Sequence, residues 1–268
     1  MELLPGVYQA KKKDGTVYYR SSITFRGKHI SLGSYADIST ANLAYQEAGD
    51  ILSGKQGDIQ SHNPFQAPQL SFEKQVVLLN FRDNQYYIKT PIYLKKQFFW
   101  YYLRPDHILT FDVDDLFYYS NHKIMQRGGH LFVSDFGMQV NILSRYGIKN
   151  YGVAGKDYRF VNGDCTDFRY RNIEIINRYH GVNRVMEHGL PRYLAKIHVN
   201  GDYIIGRYDT EAEAAIAYNK AATYLAGRGF QKNFPKNYLP DLDAITYASI
   251  YNRIRISPAI RELTFPDQ

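Results

Sequence analysis

The feature that most constrains this chain is an internal repeat. Residues 6–48 carry Gly6-Val7-Tyr8, Tyr19-Arg20-Ser21-Ser22-Ile23, Leu32-Gly33-Ser34-Tyr35 and Ala41-Asn42-Leu43-Ala44-Tyr45. Residues 181–221 carry Gly181-Val182-Asn183, Tyr193-Leu194-Ala195-Lys196-Ile197, Ile205-Gly206-Arg207-Tyr208 and Ala214-Ala215-Ile216-Ala217-Tyr218 in the same order. The offset drifts only from 175 (Gly6 to Gly181) through 174 (Gly27 to Gly201) to 173 (Gly33 to Gly206). Four ordered landmarks with two single-residue slips mark a duplication, so one way of burying an apolar face is used twice.

Each copy reads as three strands and a helix. In the second copy Tyr193, Ala195, Ile197 and Val199 alternate with Arg192, Leu194, Lys196 and His198, the period of a half-buried strand. Asn200-Gly201-Asp202 reads as a turn in which Asn-Gly supplies positive φ. Asp209 or Thr210 caps a helix, and Glu213 stands at the capping-box position if Thr210 is the cap. From Glu211 to Leu225 the residues Ala214, Ala217, Tyr218, Ala221 and Leu225 share one helical face, and alanine there allows close approach to a sheet. The first copy repeats the pattern, with Tyr19, Ser21, Ile23 and Phe25 inward and Ala41, Ala44, Tyr45 and Ala48 on its helix.

A helix on one side leaves each sheet with an open face. In the first copy that face is expected to hold Tyr8, Arg20, Ser22, Thr24 and Ser31, with Lys11, Lys12 and Lys13 in the first turn and Arg26, Lys28 and His29 near the second. In the second copy it is expected to hold Asn183, Arg184, Arg192, Lys196, His198 and Arg207. The formal net charge of +7 suits a polyanionic partner. A small sheet can enter the major groove, where arginine reads guanine edges and lysine neutralises phosphates. The 25 tyrosines and 15 phenylalanines favour strands and half-buried surfaces.

The second copy, from Tyr179-His180-Gly181-Val182 through Asp209-Thr210-Glu211 to Asn233-Phe234-Pro235, resembles the Apetala-type DNA-binding domain of plant ethylene-response factors, which also occurs in bacterial and phage proteins. The first copy resembles the relatives of that domain in phage integrases, without the Asn-Phe-Pro ending. The resemblance implies a sheet docked in the major groove of double-stranded DNA. It departs from the family at its tryptophans and several groove-reading arginines; Ile204 stands where the third strand usually has tryptophan.

Between the copies, residues 56–70 are polar and turn-rich and read as a linker. Strands are expected from Val76 to Tyr119, at Gln75–Asn80 and Tyr86–Lys89 first, and Asp112 is expected to open a short helix. Leu143-Ser144-Arg145-Tyr146 followed by Arg159-Phe160-Val161-Asn162-Gly163-Asp164 and Asp167-Phe168-Arg169-Tyr170-Arg171-Asn172-Ile173 resembles an HNH nuclease, in which two strands and a helix hold one metal. Asn162-Gly163-Asp164 matches that family's loop, and Asp167, Arg169 and Asn172-Ile173 its helix. The family's Asp-His pair, however, falls on Arg159-Phe160. Arginine repels a cation, and a phenyl ring exchanges no proton near neutral pH. Past Pro235, Asp241–Ile256 reads as a helix with Leu242, Ile245, Ile250 and Ile254 at near-helical spacing.

The fold class expected is α+β and multidomain: two three-stranded antiparallel sheet-plus-helix modules flanking a ββα HNH-like middle. The boundaries are 1–56 for the first module, 57–120 for a linker and strand-rich segment, 121–178 for the HNH-like domain, 179–236 for the second module and 237–268 for a C-terminal helix and tail. The expected partner is double-stranded DNA, with neither a membrane nor a small-molecule substrate, and the expected protein is a non-catalytic regulator or mobile-element factor without a cofactor. The alternative is an active HNH endonuclease using Mg2+ or another divalent metal, with His130 as catalytic residue and Asn172 as metal ligand. One cysteine, Cys165, excludes an intrachain disulfide framework. With no signal-peptide pattern at the N-terminus, the expected location is the cytoplasm, at the nucleoid.

Overall fold

A computed structural model describes residues 4–55, 59 and 69–264, so most of the expected 56–70 linker lies outside the described residues. The chain is mixed α and β, built from small three-stranded antiparallel sheets and short helices. It divides into two compact units, residues 1–142 with 164–172 and residues 143–163 with 173–268, so the stretch 121–178 is shared between them.

The first unit opens with β1 (Val7–Lys11), β2 (Val17–Phe25) and β3 (Lys28–Tyr35), an antiparallel sheet in that order, followed by α1 (Ile38–Leu52). Asp37 starts α1 by accepting a hydrogen bond from the Thr40 amide at 2.8 Å. Ala41, Ala44, Ala48 and Ile51 are buried on it.

The expected strand at Gln75–Asn80 is instead part of α2 (Phe72–Asn84), capped by Ser71 and closed by Gln85 in the left-handed region. Every residue from Gln75 to Phe81 is buried. A helix covered on all sides loses its 3.6-residue signature, and a short apolar run then reads as a strand. Fully burying Leu78 and Leu79 stabilises the fold by about 1.5–3 kcal/mol each. The buried Asn80 is satisfied: its Oδ1 accepts from Leu94 N at 2.9 Å and its Nδ2 donates to the Tyr86 carbonyl at 2.8 Å. That contact pins Tyr86–Lys89 as an irregular connection, not the expected strand.

Strands follow: β4 (Ile92–Leu94), β5 (Phe98–Arg104) and β6 (His107–Asp112) form one sheet. As expected, Asp112 opens a helical turn, a 3-10 segment Val113–Asp115 that leads into α3 (Leu116–Asn121). The tyrosine excess serves the interior as well as the surface. Tyr101 and Tyr119 are fully buried, and the Tyr101 hydroxyl accepts from Ile124 N at 2.8 Å. The Phe111 ring stacks on Phe99 and Phe168, each at 5.4 Å between centroids. A further meander, β7 (Ile124–Arg127), β8 (His130–Asp135) and β9 (Met138–Asn141), completes this unit.

The second unit contains the two-stranded pair β10 (Tyr158–Phe160) and β11 (Ile173–Ile175), then β12 (Val182–Glu187), β13 (Leu190–His198), β14 (Asp202–Tyr208) and α4 (Glu211–Gly227). Of the two expected caps Thr210 is the one used, accepting from Glu213 N at 3.2 Å. The expected stripe Ala214, Ala217, Tyr218, Ala221 and Leu225 is buried. The turn before β14 exists, but neither Asn200 nor Gly201 has positive φ, because a longer connection closed by Val199 N donating to Gly201 O does the work.

The C-terminal helix is α5 (Ala244–Arg253), shorter than Asp241–Ile256, and a one-turn α6 (Pro258–Arg261) follows. Leu239, Ile254, Ile260 and Leu263 join the core around α4, whereas Ile245 is exposed. Lys220 Nζ donates to the carbonyls of Tyr251 and Ile254 at 2.6 and 2.7 Å, satisfying the end of α5.

Candidate nucleic-acid interface

Both repeats fold around the same backbone device. The second strand loses register with the third between Ser21 and Ser22 in the first copy, and between Ala195 and Lys196 in the second. At each break the amide after the slip turns to a glycine carbonyl: Ser22 N donates to Gly6 O at 3.0 Å, and Lys196 N to Gly181 O at 2.8 Å. Both glycines have positive φ, and a Cβ on either would meet an aromatic ring of the packed helix, Tyr45 at 2.0 Å and Tyr218 at 2.2 Å. The single-residue slips of the repeat thus sit in a sheet-and-helix design that is otherwise the same.

Residues paired across antiparallel strands share a face. In the first module Val7 and Ile30 mark the covered side, since both are buried. The opposite face carries the rows Tyr8–Arg20–Ser34, Ser22–Ser31 and Thr24–His29. Four of the expected residues, Tyr8, Arg20, Thr24 and Ser31, are exposed there. Ser22 has the right parity but is 7% exposed, because the bulge draws its backbone toward Gly6. Lys11 is not in the turn: it ends β1 opposite Val17, with the parity of Val7.

Sequence reasoning passed over Tyr18, which shares the parity of Arg20. The Arg20 guanidinium lies over the Tyr18 ring at 5.5 Å, and its Nη2 donates to the Tyr18 hydroxyl at 2.8 Å. No Asp or Glu occurs in β1, β2 or β3.

The second module differs. Its open face carries Asn183–Leu194–Arg207, Val185–Arg192, Lys196–Ile204 and His198–Asp202. Arg184 is a correction: it pairs with Tyr193 and has the parity of buried Val182, so it lies on the helix side of the sheet. Adjacent residues of a strand point to opposite faces, and Asn183 takes the open one. The four remaining basic side chains each meet an acid. Arg192 pairs with Asp209, Arg207 with Glu187 at 2.6 Å, and Lys196 and His198 with Asp202 at 2.5 and 2.9 Å. Hydrogen bonds from Lys196 and then His198 hold the Asp202 carboxyl below its usual range. Asp202 and Asp209 are apparent in the sequence as turn and cap residues, but the strand register decides which basic side chains they meet.

The HNH-like segment forms a different structure from the ββα expected. Leu143–Tyr146 lies in a 3-10 segment. In place of a helix over Asp167–Ile173 there is one 3-10 turn, Tyr170–Asn172, followed at once by β11. Arg159, at a catalytic position of that family, pairs across the strands with Glu174 at 2.7 Å. Asn172, the alternative metal ligand, is buried and donates to the carbonyls of Asp164 and Asp167 at 3.3 and 2.8 Å, bracing its own turn. His130 is exposed at the start of β8, opposite Arg127. Among the described residues no three His, Cys, Asp or Glu side chains are grouped to hold a metal.

Within the second unit a cleft of about 440 Å3 is lined by Lys149, Arg178, His180 and Lys236, among others. Lys149 is tied to buried Asp157 at 2.8 Å. Burial, then the Lys149 charge, pushes the His180 imidazole below its ordinary pKa.

No described helix is long and apolar enough to cross a membrane. Compared with family models, curated proteins and solved structures, the chain matches none of them.

Proposed function

We propose that this chain is a non-catalytic, sequence-specific binder of double-stranded DNA, which lays the open faces of its two repeat sheets in the major groove. The observation that carries the reading is the first module's open face. Tyr8, Tyr18, Arg20, Thr24, His29 and Ser31 offer donors, acceptors and a stacked guanidinium on a three-stranded sheet with no carboxylate in its strands. A sheet of that width fits the groove, and arginine pairs bidentately with guanine.

The second module supports the same reading in a restrained form. Arg192, Lys196 and Arg207 are held by acids until a polyanion competes for them, which lowers affinity for arbitrary sequence and leaves Asp202 able to accept from a cytosine amino group. Two modules on one chain reinforce each other through effective concentration. The HNH-like stretch contributes scaffold rather than hydrolysis, because Arg159 and Phe160 supply neither a metal ligand nor a base.

The test is fluorescence anisotropy of a labelled duplex, selected from a random pool, against the full chain at increasing salt. Engagement of about six to ten phosphates predicts a loss of roughly a thousandfold or more between about 50 and 200 mM salt. A flat response refutes docking by these faces.

A further inference from the structure

Two-residue hairpins with positive φ at both central residues prefer asparagine, aspartate or glycine at the first of them. Four hairpins of the described chain turn this way, on Arg26-Gly27, Gly128-Gly129, Phe136-Gly137 and His188-Gly189. Phe136 is the least suited of these residues. A bulky side chain at φ +46° is strained, and it has no polar atom with which to bond its own turn. It is also 96% exposed, and no ring contact is found for it among the described residues. The strain and the exposed apolar surface both act against stability. The neighbouring hairpin of the same sheet turns on Gly128-Gly129 without either cost, so the sheet itself does not require a phenylalanine. Strain of this kind persists only where the surrounding structure holds it, and such residues cluster at functional sites.

We propose that Phe136 is a wedge that enters a base step of the bound duplex and partly unstacks it; this rests on the DNA-binding function proposed above. The size of the exposed surface selects the occupant. A single aromatic ring offers about 150–250 Å2, whereas a stable protein partner needs roughly 800 Å2 on each side. Ser134 and Gln139 beside the tip are exposed and polar, and Met138, 65% exposed, is its apolar neighbour across the turn. One protruding ring with a methionine shoulder is too small for a protein interface and matches the apolar wedges that kink duplexes. The charged residue at the tip is Asp135, whose carboxylate faces His122 Nε2 at 3.5 Å, while Arg127 lies at the other end of β8.

The experiment relaxes closed circular plasmid with topoisomerase in the presence of saturating protein and reads the change in linking number, with anisotropy on linear duplex run in parallel. The native chain is expected to unwind the plasmid. Phe136→Asn, which suits the turn, is expected to fold with an unchanged or higher Tm, to bind linear duplex still, and to lose the linking-number shift; Phe136→Trp keeps it. An Asn variant that binds and unwinds like the native chain overturns the wedge while leaving DNA binding intact. Absence of duplex binding by the native chain overturns the DNA-binding function and the wedge with it.

Discussion

Replacing Gly181 with alanine tests the backbone device on which the second module is built. At φ +69° an L-residue enters the left-handed region, which costs roughly 1–2 kcal/mol. The new Cβ would lie 2.2 Å from Tyr218 Cδ2 and 2.4 Å from the Lys196 carbonyl oxygen. The ring can rotate or shift, but the carbonyl belongs to the bulged strand, whose Lys196 amide is bonded to Gly181 itself. Overpacking of a tight contact adds about 1–3 kcal/mol. The sum, roughly 2–5 kcal/mol, is a large share of the stability of an ordinary domain, and corresponds to a fall in Tm of roughly 4–20 °C.

Gly201→Ala is the internal control: its φ is not positive and a Cβ there meets nothing within 4 Å, so its effect should stay within about 0.5 kcal/mol. Thermal unfolding followed by circular dichroism measures both. Adding Tyr218→Ala to the Gly181 variant should not restore stability, since the clash with the Lys196 carbonyl remains and the buried ring is lost. If Gly181→Ala melts within a degree of Gly201→Ala, the argument that this glycine fixes the bulge is wrong.

Three further outcomes are expected. Arg20→Ala should cost about 1–3 kcal/mol of affinity on the selected duplex and relax its specificity, while Arg184→Ala, on the helix side of its sheet, should leave affinity nearly unchanged; equal losses in anisotropy would contradict the face assignment. Because the folded-state pKa of His180 is depressed below 6.5, its neutral form is favoured in the native state, so the associated stability is present above pH 6.5 and is lost as pH falls toward the folded value. Urea titrations at pH 7.5 and 5.5 should therefore show a drop that shrinks in His180→Gln, and an unchanged drop would exclude this residue as its source. Supercoiled plasmid with Mg2+ or Mn2+ should stay intact, and nicking that disappears in His130→Ala or Asn172→Ala would restore the endonuclease alternative.

The sequence by itself determined what is local and repeated. The two modules were legible because alternation in β2 and β13, the alanine stripe of α4 and the capping pattern at Thr210–Glu213 follow from chain geometry alone. The short helical turn after Asp112 was legible for the same reason. Tertiary structure decided whatever depends on which face meets what. Val76–Asn80 became helix because burial on all sides erased its period, leaving a run that fits either state. Arg184 moved to the covered side because register assigns Asn183 to the open face, a choice that two adjacent polar residues cannot announce. The acids restraining Arg192 and Arg207 lie 17 and 20 residues away in the chain, and even the short hairpin that carries Lys196 and Asp202 brings them together only once its register is set. The HNH-like helix shrank to one 3-10 turn because buried Asn172 braces the loop and β11 starts directly after it. Local periodicity is written in backbone geometry, whereas register and burial arise only when distant segments pack.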